Sequence, residues 1–474
     1  VSRGLGDVYK RQHKESLKID PLYDRQPEKI NHNTLLELVI DLYEAGDYAQ
    51  GITLAEKWVK QQNVSRQEDI YPLVYYYIAY GYQNLHRKEN TEQANCYMTM
   101  YVTLGENAAA DGCFPHRTED YIVLKSLAEE YHLAMAYYYL GCLLYDRRVY
   151  DESIEDYEES ILRSPDFPTV HRNLALAYYN VKKLPQRAYE EMEKAFALDE
   201  TDARVYLELD QLKKRLNVAV KERWSDMEKH FDLVESRDDL YLEYVTLLNT
   251  LGEPEKALGL IKARKFHQWE GGEGKVAAQY LTALYQLAKA AVEKEDYAEA
   301  KELLLRAVGE YPHNLGEGKL ESGQENNLYY LLGLVQEKLG EAKDAFESLT
   351  RACCGESEPV GMMYYNDQPP EMIYYQGLAY RMLGEEEQAV QRFCKLVDYG
   401  KEHIGDEIKI DYFAVSLPDL LIFEENLNER NRKHCLFMMS LGLRGLGQTD
   451  EAKACAEELL SMDNAHQGIR VHDL

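Results

Sequence analysis

Residues 136–165, AYYYLGCLLYDRRVYDESIEDYEESILRSP, decide the fold because they read as two short amphipathic helices joined by a tight turn. Four residues of the first helix recur at i, i+3, i+4 and i+7 and so share one face: Tyr137, Leu140, Gly141 and Leu144. A face of the second helix is formed by Ser153, Tyr157 and Ser160. Tyr150 falls in the predicted turn, and Pro165 ends the unit.

A helix hairpin with small residues where its two helices cross is typical of the tetratricopeptide repeat (TPR), which is about 34 residues long. Such a unit cannot bury its apolar face alone and therefore stacks on neighbours. The same pattern recurs at 33–60, 70–104, 167–198, 239–264, 275–312, 328–352, 372–397 and 436–460. We therefore predict an all-α fold over residues 13–474, a right-handed α-solenoid of eight or nine TPR-like hairpins.

Two helical stretches do not fit the repeat. Residues 118–131 predict one helix. Residues 201–230 are charged and have no turn at repeat spacing, so they are consistent with either a helix pair or a spacer.

The chain begins with Val1, and residues 1–12 (VSRGLGDVYKRQ) have neither an apolar period nor helix caps. We expect residues 1–12 to be a translated artefact and exclude them from the fold. Because the chain does not begin with Met, we expect it to be a fragment of a longer protein.

The charge excludes some classes of partner. Asp and Glu number 83 against 54 Lys and Arg, which gives a net charge of −29. Nucleic acids and anionic membranes are therefore not expected partners, because both require a basic surface. No apolar run approaches the ~20 residues that a membrane span needs. The eight cysteines form no C-x-x-C pair, which favours reduced core cysteines and a cytoplasmic location.

Two loops, 265–275 and 310–320, are long for repeat joints and share the sequence GEGK, at 272–275 and 316–319. Each carries a histidine upstream, His267 or His313. We predict that the loops lie side by side on one edge of the array, because they are one unit apart.

The GEGK loops have two interpretations. In the structural one, the glycines allow turns, a glutamate caps a helix and the lysines are solvated. In the functional one, Trp269 offers a stacking face and a polar rim supplies hydrogen bonds from Glu273, Glu317, Lys275 and Lys319. A phosphate loop is excluded, because that motif needs an earlier glycine and a following Ser or Thr.

Two further loops, 362–371 and 405–419, complete the candidate set. Asn366 and Asp367 are turn formers or caps, and a helix is expected to start at 416–419. The candidate binding residues are His267, Trp269, Glu270, Glu273, Lys275, His313, Glu317, Lys319, Asn366, Asp367 and Asp411.

Catalysis finds little support. The chain contains no H-E-x-x-H, G-x-S-x-G or C-x-x-C motif, and its histidines lack metal-ligand spacing. Glu273 and Glu317 are the one carboxylate pair that merits consideration for glycoside chemistry. We predict no catalytic residue, no metal and no cofactor.

Four phrases occur in the order FHQWEGGEGK, YPHNLGEGK, YYNDQPPEMIYYQGLA and IDYFAVSLPDLLIFE. They resemble a family of bacterial TPR proteins of unassigned function, in which a galactose-mutarotase-like β-sandwich precedes a long helical array. From about Asp20 onward the chain is similar to that array alone, which implies that it is the C-terminal part of a larger protein. The resemblance implies a carbohydrate-related setting.

The sequence therefore predicts a binding or scaffold module whose partner is a protein, a neighbouring domain or a second copy. The alternative is the helical half of a carbohydrate-binding or carbohydrate-active enzyme, with the long loops completing a sugar site. A third reading is a spacer that sets oligomer geometry.

Overall fold

The computed structural model describes residues 30–62, 69–89, 92–269, 271–319, 324–361, 367–409 and 422–472. Every regular element within these ranges is a helix. The predicted all-α fold is therefore confirmed. The chain divides into two compact units, residues 1–183 and 184–474. No helix in the described ranges is long and apolar enough to cross a membrane.

The described residues of the first unit form α1 (His32–Glu44), α2 (Tyr48–Gln61), α3 (Pro72–Glu89), α4 (Glu92–Asn107), α5 (Thr118–Tyr131), α6 (Ala134–Asp146), α7 (Tyr150–Arg163) and α8 (Pro168–Asn180). The pairs α1/α2, α3/α4 and α6/α7 pack as hairpins. These correspond to the units predicted at 33–60, 70–104 and 136–165.

The α6/α7 hairpin shows why small residues occupy the crossing. The Ser153 hydroxyl donates a hydrogen bond to the Gly141 carbonyl oxygen over 2.7 Å. A Cβ atom on Gly141 would lie only 2.5 Å from the Tyr157 ring. The turn is shorter than predicted, because Tyr150 is already the first residue of α7.

We expect Gly141→Ala to destabilise the first unit by at least about 1 kcal/mol, since the new methyl group must displace a packed ring. Gly259→Ala is the matched control, because Gly259 is exposed with open space around it. The control should stabilise its helix by roughly 0.5–1 kcal/mol. Urea denaturation followed by circular dichroism measures both changes, and equal stability of Gly141→Ala and the native chain would contradict the packing argument.

The single helix predicted at 118–131 is α5, and it runs beside α3. Tyr77 donates to the Asp120 carboxylate over 2.8 Å, and Arg87 pairs with Glu130 over 2.6 Å. Both pairs are 43 residues apart in sequence. The two helices are therefore parallel and held in one register.

The described residues of the second unit form α9 (Pro185–Leu198), α10 (Ala203–Arg215), α11 (Val220–Lys229), α12 (Phe231–Ser236), α13 (Asp238–Thr250), α14 (Pro254–Ala263), α15 (Lys275–Glu293), α16 (Tyr297–Ala307), α17 (Asn326–Lys338), α18 (Ala342–Ala352), α19 (Pro370–Met382), α20 (Glu386–His403), α21 (Leu427–Gly445), α22 (Thr449–Met462) and α23 (Gln467–Val471). A 3₁₀ turn covers His313–Leu315.

Helices α13 to α22 form five successive hairpins. We call α13, α15, α17, α19 and α21 the first helices, and each contacts the next one along the array. Helix α21 begins at Leu427, earlier than the predicted 436, because the Asn426 side chain caps it by accepting from the N–H groups of Asn428 and Glu429.

The stretch 201–230, for which a pair or a spacer remained open, forms the helix pair α10 and α11. The chain turns between them at Asn217, which has a φ of +58°. Arg223 of α11 is buried and makes a two-pronged contact with Asp210, at 3.0 and 2.6 Å. It also donates to Glu243 over 2.7 Å. A charged network therefore lies inside this part of the second unit.

Candidate binding site

The two GEGK loops lie side by side in the second unit, as predicted. The Phe266 N–H donates to the Asn314 carbonyl over 2.9 Å, and the Asn314 amide donates to the carbonyl of Ile261 over 2.7 Å. At Gly316, φ is +79°, and a Cβ atom would lie 2.8 Å from the Phe266 carbonyl oxygen. Only glycine allows the loops to approach this closely.

Glu317 connects the second loop to the helix that follows the first loop. Its carboxylate accepts from the N–H groups of Gly274 and Ala277, both over 2.8 Å. These groups lie at the N-terminus of α15, where a negative charge also interacts favourably with the helix dipole. The capping predicted for a loop glutamate is thus made by Glu317.

The lysine and histidine candidates of the two loops differ in their surroundings. Lys319 donates to the Val308 carbonyl and pairs with Glu325 over 2.7 Å. His267 approaches Asp238 with both its backbone N–H, at 2.8 Å, and its Nδ1, at 3.1 Å. Burial would raise the pKa of Asp238, but hydrogen bonds from His267 and Arg264 hold it below its usual value. Lys275 is an exposed residue at the start of α15.

A groove of about 360 Å³ lies between the loops. The Trp269 ring packs against Gly272, where a Cβ atom would lie 2.2 Å from it. The groove is lined by His267, Gln268, Trp269, Gly272, Glu273, Val276, Leu315, Gly316 and Glu317. Glu273 is exposed at this edge.

The other candidates do not join this groove. Asp367 lies near His434 and Tyr399. Burial lowers the pKa of His434 and raises that of Tyr399, and the charge of Asp367 makes a smaller upward contribution to each. His313 is exposed in the 3₁₀ turn. Glu270, Asn366 and Asp411, and the helix start expected at 416–419, lie outside the described residues.

We expect Glu317→Ala to destabilise the loop pair and the start of α15 by about 1 kcal/mol, since a charge-assisted cap is lost. Glu317→Gln keeps an acceptor oxygen and should therefore lose less stability than Glu317→Ala. Glu273→Gln is the matched control in the neighbouring loop and should change stability little. Hydrogen exchange of the first turn of α15 tests this, and unchanged exchange in Glu317→Ala would refute the capping role.

A different surface was missed by sequence reasoning. Residues 463–472, which we call the closing segment and which include α23, pack against the first helices of the second unit. The side-chain amides of Gln279 and Gln467 donate to each other over 3.1 Å in both directions. Lys289 donates to the Val471 carbonyl over 2.9 Å. The segment therefore reaches two first-helix side chains that are about 180 residues away in sequence.

Further contacts of the closing segment involve rings and a turn. The Tyr375 hydroxyl lies 2.9 Å from His472 Nδ1, and the rings of Phe437 and His466 meet edge-to-face with centroids 4.8 Å apart. The Asn464 N–H donates to the Asn217 side chain over 2.7 Å. We call the side chains of α13, α15, α19 and α21 that meet this segment the first-helix face.

The sequence offered only a weak signal for this contact. Residues 463–468, DNAHQG, read as a helix stop, and the two aliphatic residues that follow are too few for a repeat. Within the described ranges, no cluster of three His, Cys, Asp or Glu residues could hold a metal ion.

Family comparisons identify the repeats. A model described as tetratricopeptide repeat matches residues 138–203 and 285–359, and another with that description matches 434–466. These stretches are tetratricopeptide repeats. The TPR match at 434–466 runs through α21 and α22 and ends at His466, inside the closing segment.

Among solved structures, Naa15/Naa10 bound to HypK-THB is 12% identical, with 93% of this chain and 60% of that chain covered and a TM-score of 0.30. A TPR protein from Parabacteroides merdae is 14% identical. The match covers 64% of this chain and 98% of that chain, with a TM-score of 0.24. YrrB, a TPR protein with an unusual peptide-binding site, is 18% identical. The match covers 52% of this chain and 97% of that chain, with a TM-score of 0.19. This chain thus spans 60% of the Naa15/Naa10 chain that it matches.

Proposed function

We propose that this chain is a TPR-type binding module whose first-helix face, in the second unit, holds a segment of a protein partner. One observation carries the proposal: this face already holds a peptide-like segment, residues 463–472. Stacked helix hairpins commonly provide extended binding surfaces of this kind.

The contacts on the face are of the type that recognises a peptide. Lys289 binds a backbone carbonyl, at Val471, and Gln279 pairs with a side-chain amide. Ile469 and Val471 of the segment are buried, with 2% and 7% of their surface exposed. Backbone hydrogen bonds supply affinity, and pockets for side chains supply specificity.

The partner class includes a separate protein, a neighbouring domain of the same polypeptide and a second copy of the chain. The resemblance described above adds a β-sandwich domain as the neighbouring candidate. The eight free cysteines support a reducing, cytoplasmic setting, and the same resemblance supports a bacterial source.

The test uses the full chain with Gly468→Leu and Ile469→Asp, which we call the opened variant because these changes release the closing segment. It serves as bait in an extract of the source cells. A further change of Gln279→Ala and Lys289→Glu on the face should reduce partner recovery at least about fivefold. Lys453→Glu is the control, because the Lys453 side chain is 75% exposed on α22. Equal recovery with the altered and unaltered face would refute the proposal.

A second candidate function is binding of a small carbohydrate in the groove between the GEGK loops. The observation that favours it is the Trp269 ring beside Glu273 in a cavity of about 360 Å³. Glu317 is engaged in capping α15, so it fits a positioning role better than a catalytic one. Saturation-transfer NMR with monosaccharides tests this, and signals unchanged by Trp269→Ala would exclude the groove.

A further inference from the structure

We propose that the closing segment is an internal ligand of the first-helix face, and that the partner presents the same short pattern: Gln, a small residue, an aliphatic residue, any residue, an aliphatic residue. This inference rests on the proposed function. It adds the chemistry of the partner and a form of regulation, since the partner must displace residues 463–472.

The first two positions of the pattern are set by tight contacts. Gln467 is matched by Gln279, with both amides donating and accepting. At Gly468, a Cβ atom would lie 2.6 Å from the Phe437 ring. A partner therefore needs a carboxamide followed by a very small residue.

The last three positions are set by burial. Ile469 and Val471 are buried against the unit, whereas the intervening Arg470 is exposed. The Val471 carbonyl is held by Lys289. The pattern is therefore aliphatic at the third and fifth positions and free at the fourth.

Two further amides lie behind Gln279. Asn249 is fully buried, and its amide nitrogen donates to Gln279 Oε1 over 3.0 Å. Gln286 in turn donates to the Asn249 carbonyl over 2.9 Å. These contacts hold the Gln279 amide in place for the carboxamide of the ligand.

The closing segment competes strongly because it belongs to the same chain. A short tether gives an effective concentration of roughly millimolar. A free peptide should therefore bind the native chain at least about tenfold more weakly than the opened variant.

The experiment measures fluorescence anisotropy of a labelled DNAHQGIRVH peptide, the sequence of residues 463–472, titrated with the full chain. The opened variant should bind it, the native chain should bind at least about tenfold more weakly, and the opened variant with Gln279→Ala and Lys289→Ala should lose binding. A peptide with Gly468→Leu and Ile469→Asp is the matched control and should not bind.

The inference is overturned if the folded opened variant does not bind the peptide, if both peptides bind equally, or if the native chain binds the peptide as tightly as the opened variant does. A native dimer that Gly468→Leu dissociates would instead assign the face to a second copy and also overturn it. Should the opened variant not fold, hydrogen exchange on the native chain decides, since excess peptide must accelerate exchange at 467–471. If a protein is still captured through the face while the peptide fails, the partner pattern is wrong and the proposed function stands.

Discussion

Replacing Arg223 with methionine is expected to destabilise the second unit by about 3–5 kcal/mol. The Arg223 side chain is fully buried and holds Asp210 and Glu243 at 2.6 and 2.7 Å. Burial raises the pKa of Asp210, against the opposing charge of Arg223. Burial would also raise the pKa of Glu243, but Lys214 and Arg223 hold it at about 2. Removing the guanidinium therefore leaves the buried Asp210 carboxylate without its partner, whereas the partly exposed Glu243 keeps Lys214 at 3.2 Å.

Urea denaturation measures this loss of stability. Tryptophan fluorescence reports the unfolding, because Trp224 and Trp269 lie in the second unit. Combining Arg223→Met with Asp210→Leu and Glu243→Gln should recover much of the lost stability, since the unpaired charges are then removed. Arg351→Met is the surface control, with its Glu347 pair largely exposed, and should cost less than about 0.5 kcal/mol. A similar small cost for Arg223→Met would show that the network does not form.

Lowering the pH from 7 to 5 should make release of the closing segment easier by about 2 kcal/mol. His466 caps α23, because its Nδ1 accepts from the Ile469 N–H at 3.3 Å. Burial holds the pKa of His466 at about 4, below the ordinary value of 6.5. The neutral form therefore stabilises the bound segment fully above pH 6.5, and this stabilisation is lost as the pH falls toward 4.

The charges around His466 act in both directions. Asp463 raises its pKa, whereas His434 and Lys433 lower it. His434 is itself held below its usual pKa by burial, with Nε2 at 2.8 Å from the Val360 carbonyl. Protonation of His434 should add to the loss of stability of the bound closing segment at low pH.

Hydrogen exchange gives the free energy of opening for residues 467–471 at each pH. His466→Asn is the control, since asparagine caps a helix but does not titrate in this range. The variant should lose most of the pH dependence and keep only the part due to His434. The same loss of protection in both proteins would mean that His466 is not the titrating group.

The hairpins could be predicted because their signals are local. The crossing of α6 and α7 needs a missing side chain at Gly141 opposite Tyr157, and both residues lie within one repeat. The two GEGK loops were likewise predictable as neighbours, because their spacing equals one unit. The structural interpretation, in which a glutamate of these loops caps a helix, likewise holds for Glu317, because the neighbouring loop brings the start of α15 to it.

Other features depend on contacts that no local pattern records. Arg223 lies in a stretch for which the sequence predicted only charged helix, and it is buried because Asp210 and Glu243 meet it from two other helices. The closing segment was interpreted as a helix stop. Its partners, such as Gln279 and Lys289, lie on a helix far away in the sequence, so only the packed unit brings them together.

The central claim is that the first-helix face of the second unit holds a protein segment. The most direct measurement places a photoreactive residue at position 282, which lies between Gln279 and Lys289 on the same face of α15, and identifies the cross-linked peptides by mass spectrometry. We expect a cross-link to residues 467–472 in the otherwise native chain, and a cross-link to added DNAHQGIRVH peptide in the opened variant. Cross-links that reach neither residues 467–472 nor the added peptide would contradict the claim that this face holds a protein segment.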